Sequence, residues 1–358
     1  MKIGLIGLPA TGKTTFFQLL TEVSAASSNK AGANIGMANI PDDRIDFLSK
    51  IYNPKKTTYA AVEVIDIQGI QPTDTAGKSS SLHFLEAVRQ VDALVHVVRA
   101  FRDDTIFHTE GSIDPLRDIE TVNLELLFAD LAIIENRIHR IETGKKITAE
   151  NRQELELIKR CKECLEKEQP LFNMDLTDEE EQILRTYNFL TERPLILLVN
   201  MDDEQFASGE YYRKDEVDQY AQERNIPIVE VSAKTELEIS NLEEEDRTLF
   251  MEEMGIEETG VGKLAKAAYD LLGLISFITV GEDEVRAWPI KAGTIARDAA
   301  GKVHTDIARG FIRAEVARFQ DFKTHGSMQK LKEQGLARLE GKEAIVEDGD
   351  IINFRFNV

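Results

Sequence analysis

Residues Gly7-Leu8-Pro9-Ala10-Thr11-Gly12-Lys13-Thr14 spell a complete GxxxxGK(S/T) pattern directly behind the short apolar run Ile3-Gly4-Leu5-Ile6. A phosphate loop needs a strand before it and a helix after it, and Thr15-Phe16-Phe17-Gln18-Leu19-Leu20 supplies the helix. Glycines allow a tight turn whose backbone N–H groups point inward, a concavity suited to phosphate oxygens, and the helix dipole adds partial positive charge there. Leu8, Pro9, Ala10, Thr11, Gly12, Lys13, Thr14 and Thr15 are therefore the expected phosphate-binding residues. Lys13, reaching the β- and γ-phosphates, is the candidate catalytic residue, and the Thr14 hydroxyl is a candidate ligand for Mg²⁺.

The chain around this loop has 358 residues, enough for two or three domains. With 42% hydrophobic and 30% charged residues it reads as a soluble globular protein. No apolar run approaches the ~20 residues needed to cross a bilayer. Met1-Lys2-Ile3 enters a strand at once, and two cysteines cannot form a disulfide framework, so the expectation is a cytoplasmic protein without membrane partners. A net charge of −21 argues against broad electrostatic attachment to nucleic acid. From Thr279 onward, however, 13 basic residues balance 13 acidic ones, so any RNA contact is expected in that segment as a local patch.

Alternating elements mark the first hundred residues as α/β with a largely parallel sheet. Ile3–Ile6, Val62–Asp66 and Ala93–Val98 read as strands, with a helix over Ser81–Val91 between the last two. From about Asp114 to Glu168 the sequence becomes charged and helix-periodic: Ile119, Val122, Leu126, Ala129 and Ile133 recur at three- and four-residue steps. Thr143-Gly144-Lys145-Lys146 breaks that run, and a second helix is predicted from about Ala149 to Lys167, giving an antiparallel helical hairpin. Thr177-x-x-Glu180 is a capping box for a further helix. Strands resume at Pro194–Val199 and Ile226–Val231, helices follow near Leu242–Met254 and Gly262–Leu272, and a small α+β domain begins at Ile275.

A second carboxylate should organise the metal from the end of a neighbouring strand. Two DxxG strings compete. Asp66-Ile67-Gln68-Gly69 ends a clear strand, whereas Gln71-Pro72-Thr73 precedes Asp74-Thr75-Ala76-Gly77 and cannot be a central strand. Asp66 is assigned to the metal and Asp74 to a loop. Asn200-Met201-Asp202-Asp203 follows its strand where guanine-nucleotide proteins carry NKxD, and Ser232-Ala233-Lys234 follows the next strand as an SAK loop. Asn200, Met201, Asp203, Ser232, Ala233 and Lys234 are the expected base-binding residues, with Met201 covering the base through its polarizable thioether. Ile70 stands where many such proteins carry a water-orienting glutamine, and Gln68 and Gln71 read as ordinary loop polars, so slow hydrolysis is the expectation.

Cys161-x-x-Cys164 falls inside the second hairpin helix, with no second pair for zinc and no helix N-terminus to activate a thiol, and reads as incidental. His83, His96 and His108 lack metal-ligand spacing. Arg99 and Arg102 follow the central strand, close enough to act near phosphates, with surface ion pairing as the expectation for both. Arg286, Lys291, Arg309, Arg313 and Arg318 form either an RNA-facing patch or a solvated face balanced by Glu282, Asp283, Glu284 and Glu315.

Taken with Pro41-Asp42-Asp43-Arg44, Asp92–Arg99 and Glu120–Leu126, and above all with Glu284–Trp288, His304-Thr305-Asp306, Arg309–Val316 and Asp348–Val358, the chain resembles the YchF or Obg-like ATPases nearly end to end. That family is a branch of the translation-factor-related GTPases. The resemblance implies a discontinuous P-loop NTPase G domain (1–112 and 190–274), an inserted helical hairpin or coiled coil (113–189) and a C-terminal TGS domain of β-grasp type (275–358). It also implies a preference for ATP over GTP, left open here between ATP and GTP by Asp203, with Mg²⁺ as cofactor, an apolar residue at the glutamine position, and ribosome or RNA contact through the TGS-like domain and the hairpin. Departures are local. Ala10-Thr11 and Thr14 replace the usual Asn-Val and Ser, the stretch Thr21–Gly36 is about four residues short, and no residue there clearly supplies a switch threonine. The loop after Gly69 loses most of its glycines, and Asp203 replaces a glutamate. Two readings follow: a slow translation-associated NTPase, or a nucleotide-sensing protein with little hydrolysis. A small-molecule kinase is a distant third, because such kinases lack the ordered NxxD and SAK pair.

Overall fold

A computed structural model describes residues 1–21, 34–67, 77–144 and 148–357. The readings placed on residues 68–76, among them Gln68, Ile70, Gln71 and Asp74, lie outside these, as do residues 22–33 and Lys145-Lys146.

The chain divides into two compact units, Met1–Met37 with Glu63–Leu264, and Ala38–Val62 with Ala265–Val358. Its strands are β1 (Lys2–Ile6), β2 (Asn34–Asn39), β3 (Lys56–Thr58), β4 (Ala61–Asp66), β5 (Ala93–Arg99), β6 (Leu195–Asn200), β7 (Ile228–Val231), β8 (Leu274–Thr279), β9 (Glu284–Lys291), β10 (Phe311–Arg318), β11 (Arg338–Glu340) and β12 (Asp350–Phe356). The first five helices are α1 (Lys13–Thr21), α2 (Asp43–Tyr52), α3 (Gly77–Val88), α4 (Pro115–Glu142) and α5 (Ala149–Glu166).

The first sheet runs β2-β4-β1-β5-β6-β7, with parallel pairing of β4, β1, β5, β6 and β7. Every residue of β5 and β6 is buried, as their nearly continuous apolar sequences require of central strands. The chain passes from β1 to β4 on one side and then to β5 on the other. The order therefore reverses at β1, and in open α/β sheets ligands bind at that crevice, beyond the carboxyl ends of the strands.

The hairpin forms where its periodicity predicts. Asp114 caps α4 by accepting from the Arg117 amide, Pro115 occupies the first turn, and Thr148 caps α5 through the Asn151 amide. Ion pairs Arg137–Glu154, Glu142–Lys159 and Glu135–Lys162 tie the two helices together. Ile134, Ile141, Leu157, Ile158, Cys161 and Leu165 form a core of their own, while the first turns of α4 pack Leu116, Ile119, Val122 and Leu126 into the core under the sheet. Cys161 is part of that packing, and burial pushes its thiol up to about 12, which agrees with an unreactive pair. The capping box at Thr177 and Glu180 is present.

The second unit is built on a mixed sheet, β11-β10-β12-β8-β9-β3, whose core holds Phe277, Ile290, Phe311, Ala314, Val316, Ile352 and Phe354. Its composition corrects the boundary drawn from sequence, which kept all of residues 1–112 with the first sheet. Ala38–Val62 groups instead with the C-terminal residues. The cause is specific: β3 pairs in parallel with β9, and the Arg44 guanidinium bridges the Asp42 and Asp348 carboxylates at 2.8 and 2.6 Å. Phe47 and Tyr52 also pack their rings on Phe319 and Phe322.

The hairpin returns to the sheet over a single buried carboxylate. Asp130 on α4 accepts hydrogen bonds from the Leu190 amide (3.0 Å), the Thr191 amide (2.8 Å) and the Thr191 hydroxyl (2.8 Å). Asp130→Ala strands these donors and is expected to destabilise the protein by about 2–4 kcal/mol in urea unfolding. A loss below about 0.5 kcal/mol, the range of ordinary surface changes, would contradict this role.

Candidate functional site

The phosphate-loop pattern forms the loop its residue types demand. Gly7 (φ 141°) and Gly12 (φ 99°) lie where a side chain is barred twice over. An added Cβ would stand 2.4 Å from the Val97 carbonyl oxygen at Gly7 and 2.5 Å from Asn200 Nδ2 at Gly12. Lys13 opens α1 and folds its ammonium back over the loop, donating to the carbonyls of Gly7 (3.0 Å) and Leu8 (2.6 Å). Burial pulls this ammonium down to about 8, against the opposing attraction of the Asp66 carboxylate.

At the end of β4, Asp66 meets Thr14. The Thr14 hydroxyl donates to Asp66 Oδ2 at 3.1 Å, which brings together the two candidate metal ligands 52 residues apart in sequence. Both present hard oxygen donors, the set Mg²⁺ prefers, in company with one cationic side chain suited to phosphates. Asn34 on β2 joins them, its Nδ2 3.4 Å from the same oxygen, a neighbour for which the sequence offered no signal.

The expected base-binding residues also converge, with their roles redistributed. Asn200 is buried and acts as a strut: Nδ2 donates to the Thr11 carbonyl (3.0 Å) and Oδ1 accepts from the Ala233 amide (3.1 Å). Met201, only 2% exposed, packs in the apolar core and also borders the cavity. Asp203 Oδ1 accepts from the Ser232 and Thr235 hydroxyls, each at 3.1 Å, while Oδ2 pairs with the Lys234 ammonium. That ammonium, with the two hydroxyls, holds the Asp203 carboxyl below the usual carboxylate range. The carboxylate at the guanine-reading position thus holds the SAK loop while still lining the cavity.

One cavity of about 720 Å³ is lined by Ala10, Gly12 and Lys13–Thr15 at one end and by Asn200–Asp203, Ala233, Lys234 and Leu237 at the other. Phe101, Arg102, Asp103 and Ile106 complete its wall. Of this segment the sequence singles out only Arg102, and Arg99 before it is buried, not in a surface ion pair. A charged residue closing an otherwise apolar strand was the available signal. His96, buried within β5, is driven down to about 3, first by burial and then by the Lys13 charge, and remains neutral.

In the second unit several of the basic candidates already have partners. Arg286 lies over the Trp288 ring at 3.9 Å, Arg309 pairs with Asp306, and Arg318 pairs with Glu347. The buried Glu315 takes Lys332 and Arg355. Among the described residues, no cluster of three His, Cys, Asp or Glu side chains suits a metal, and no helix is long and apolar enough to cross a membrane.

The family model described as "50S ribosome-binding GTPase" matches residues 2–137, and the YchF-GTPase C-terminal model, described as "Protein of unknown function", matches 274–357. The ribosome-binding ATPase YchF of Bacillus subtilis (strain 168) is 42% identical over 363 residues, covering 99% of each chain. The chain belongs to the YchF family. The YchF of Escherichia coli O157:H7, also named a ribosome-binding ATPase, is 39% identical over 362 residues, with 100% of this chain and 99% of its own covered. The solved structure of the Schizosaccharomyces pombe YchF GTPase superposes with a TM-score of 0.88 at 30% identity, over 99% of this chain and 97% of that one. The YchF fold, a P-loop GTPase domain followed by the family's C-terminal domain, is the fold seen here.

The lowered Lys13 gives the site a pH signature. Phosphate favours the charged ammonium, so below its titration near pH 8 the free protein already carries the form that binds. Above that, binding must take up a proton. Mg-ATP affinity is expected to stay level between pH 7 and 7.5 and then to fall toward about tenfold per pH unit. An affinity unchanged to pH 9.5 would contradict this assignment.

Proposed function

We infer that the chain is a Mg²⁺-dependent nucleoside triphosphatase that turns over slowly, prefers ATP to GTP and works on the ribosome. The observation that carries this is a cavity lined at one end by Lys13 and Thr14, the latter hydrogen-bonded to Asp66, and at the other by the NxxD and SAK loops. In this reading Leu8 to Thr15 wrap the phosphates, and the Lys13 ammonium turns from the loop carbonyls to the β- and γ-phosphate oxygens. Thr14 Oγ1 and Asp66 would hold Mg²⁺, which would supply charge neutralisation at the phosphates. Asn200 keeps the loop aligned, and Ser232–Lys234 back the base.

Two things support ATP. Asp203 already accepts from Ser232, Thr235 and Lys234, so guanine N1 and N2 would compete with three existing donors for that carboxylate. The bacterial relatives are also named ribosome-binding ATPases. Their names further support ribosome contact, which we assign to the C-terminal domain, read as TGS-like over 275–358, and to the hairpin within 113–189. A soluble cytoplasmic protein accords with that work. Slow turnover rests on the apolar Ile70 at the usual glutamine position.

Measuring ATP and GTP affinity side by side, with and without Mg²⁺, and turnover against Lys13→Ala, tests this reading. Tighter ATP binding that needs Mg²⁺, and turnover above the Lys13→Ala control, are expected. Binding with turnover equal to that control would instead favour a nucleotide sensor. Asp203→Asn is expected to weaken both nucleotides alike by loosening the SAK loop; a loss confined to GTP would show that the carboxylate reads guanine.

A further inference from the structure

β5 is buried along its whole length, and its last residue, Arg99, is 1% exposed. A buried guanidinium is destabilising unless its donors are used. Arg99 spends them on backbone. Nε donates to the Phe101 carbonyl (3.3 Å), Nη2 to Asp103 (3.0 Å) and Nη1 to Ile106 (3.1 Å). Its Cζ also lies 4.4 Å from the centre of the Phe101 ring. Residues 100–106 belong to neither helix nor strand, so the planar fork of Arg99 takes the place of a backbone ladder.

The segment it gathers is tied to the NxxD loop. The amides of Ala100 and Phe101 both donate to the Asn200 carbonyl, at 2.8 and 3.0 Å. The Arg102 amide donates to Asp202 Oδ2 (3.2 Å), and Gln205 Nε2 donates to the Ala100 carbonyl (3.0 Å). Phe101, Arg102, Asp103 and Ile106 line the cavity, and Arg99 itself does not. The guanidinium therefore shapes the wall beside Asn200–Asp203 from behind.

We propose that Arg99 is a positioning residue for the nucleoside half of the ligand: it holds residues 101–106 as the wall against which base and ribose rest. The proposal rests on the nucleotide reading above. A role in stability alone would weaken all ligands together, or none. Positioning of this wall weakens nucleotides and spares a bare phosphate chain.

The test compares the full chain with Arg99→Met and Arg99→Lys, measuring affinity for Mg-ATP and for Mg-tripolyphosphate, with hydrogen exchange over residues 100–107. Arg99→Met is expected to lose about tenfold in Mg-ATP affinity, the scale on which a loosened binding geometry acts, with tripolyphosphate unchanged and faster exchange at residues 101–106. Arg99→Lys retains the charge and only part of the fork, so an intermediate loss is expected. If Arg99→Met does not fold, the ATP-to-tripolyphosphate ratio of Arg99→Lys decides. An unchanged ratio in the folded variants overturns the role of Arg99. Wild-type protein that binds no nucleotide overturns instead the reading on which it rests.

Discussion

The side-chain amide of Asn200 is the strut on which the site depends. One end donates to the carbonyl of Thr11 in the phosphate loop, and the other accepts from the amide of Ala233 in the SAK loop. An amide has one donor end and one acceptor end, so a single buried side chain fixes two loops that are otherwise far apart in sequence. The same group explains why Gly12 must be glycine, since a Cβ there would stand 2.5 Å from Asn200 Nδ2. Geometry at the phosphate end and at the base end is thereby one constraint.

Sheet topology makes this strut possible. The parallel strands β4, β1, β5 and β6 end on one edge, and each delivers one part: Asp66, the phosphate loop, the wall that Arg99 backs, and Asn200 to Asp203. Burial then sets the chemistry. Lys13, desolvated against the loop carbonyls, carries a charge that phosphate oxygens would stabilise. Asp203 is held ionised by Lys234, so it locks the SAK loop where a free carboxylate would be available to a base.

Much of this was legible in the sequence because its signals are local. A strand, a glycine loop and a helix in succession locate Lys13 and Thr14, and the requirement that a carboxylate sit at a strand end selects Asp66, which the structure puts 3.1 Å from Thr14. Hairpin periodicity and its caps were equally readable. What escaped depends on long-range packing. Nothing in Asn200-Met201-Asp202-Asp203 says that the first residue is a strut, that the second is core and that the fourth is already ion-paired. Arg99 looked like a surface cation because its partners are backbone carbonyls, which carry no side-chain signature. Residues 40–60, between β2 and β4, looked like part of the first unit because their anchors, β9 and Asp348, lie more than two hundred residues onward.

The central claim is that Asn200 works through the phosphate loop and is not chiefly a base contact. Affinity of Asn200→Ala for Mg-tripolyphosphate, a ligand with no base, tests it most directly. The account predicts a loss of about tenfold or more, the scale of a misaligned binding loop, with a matching loss for Mg-ATP. Full tripolyphosphate affinity, with only nucleotide binding weakened, would contradict it.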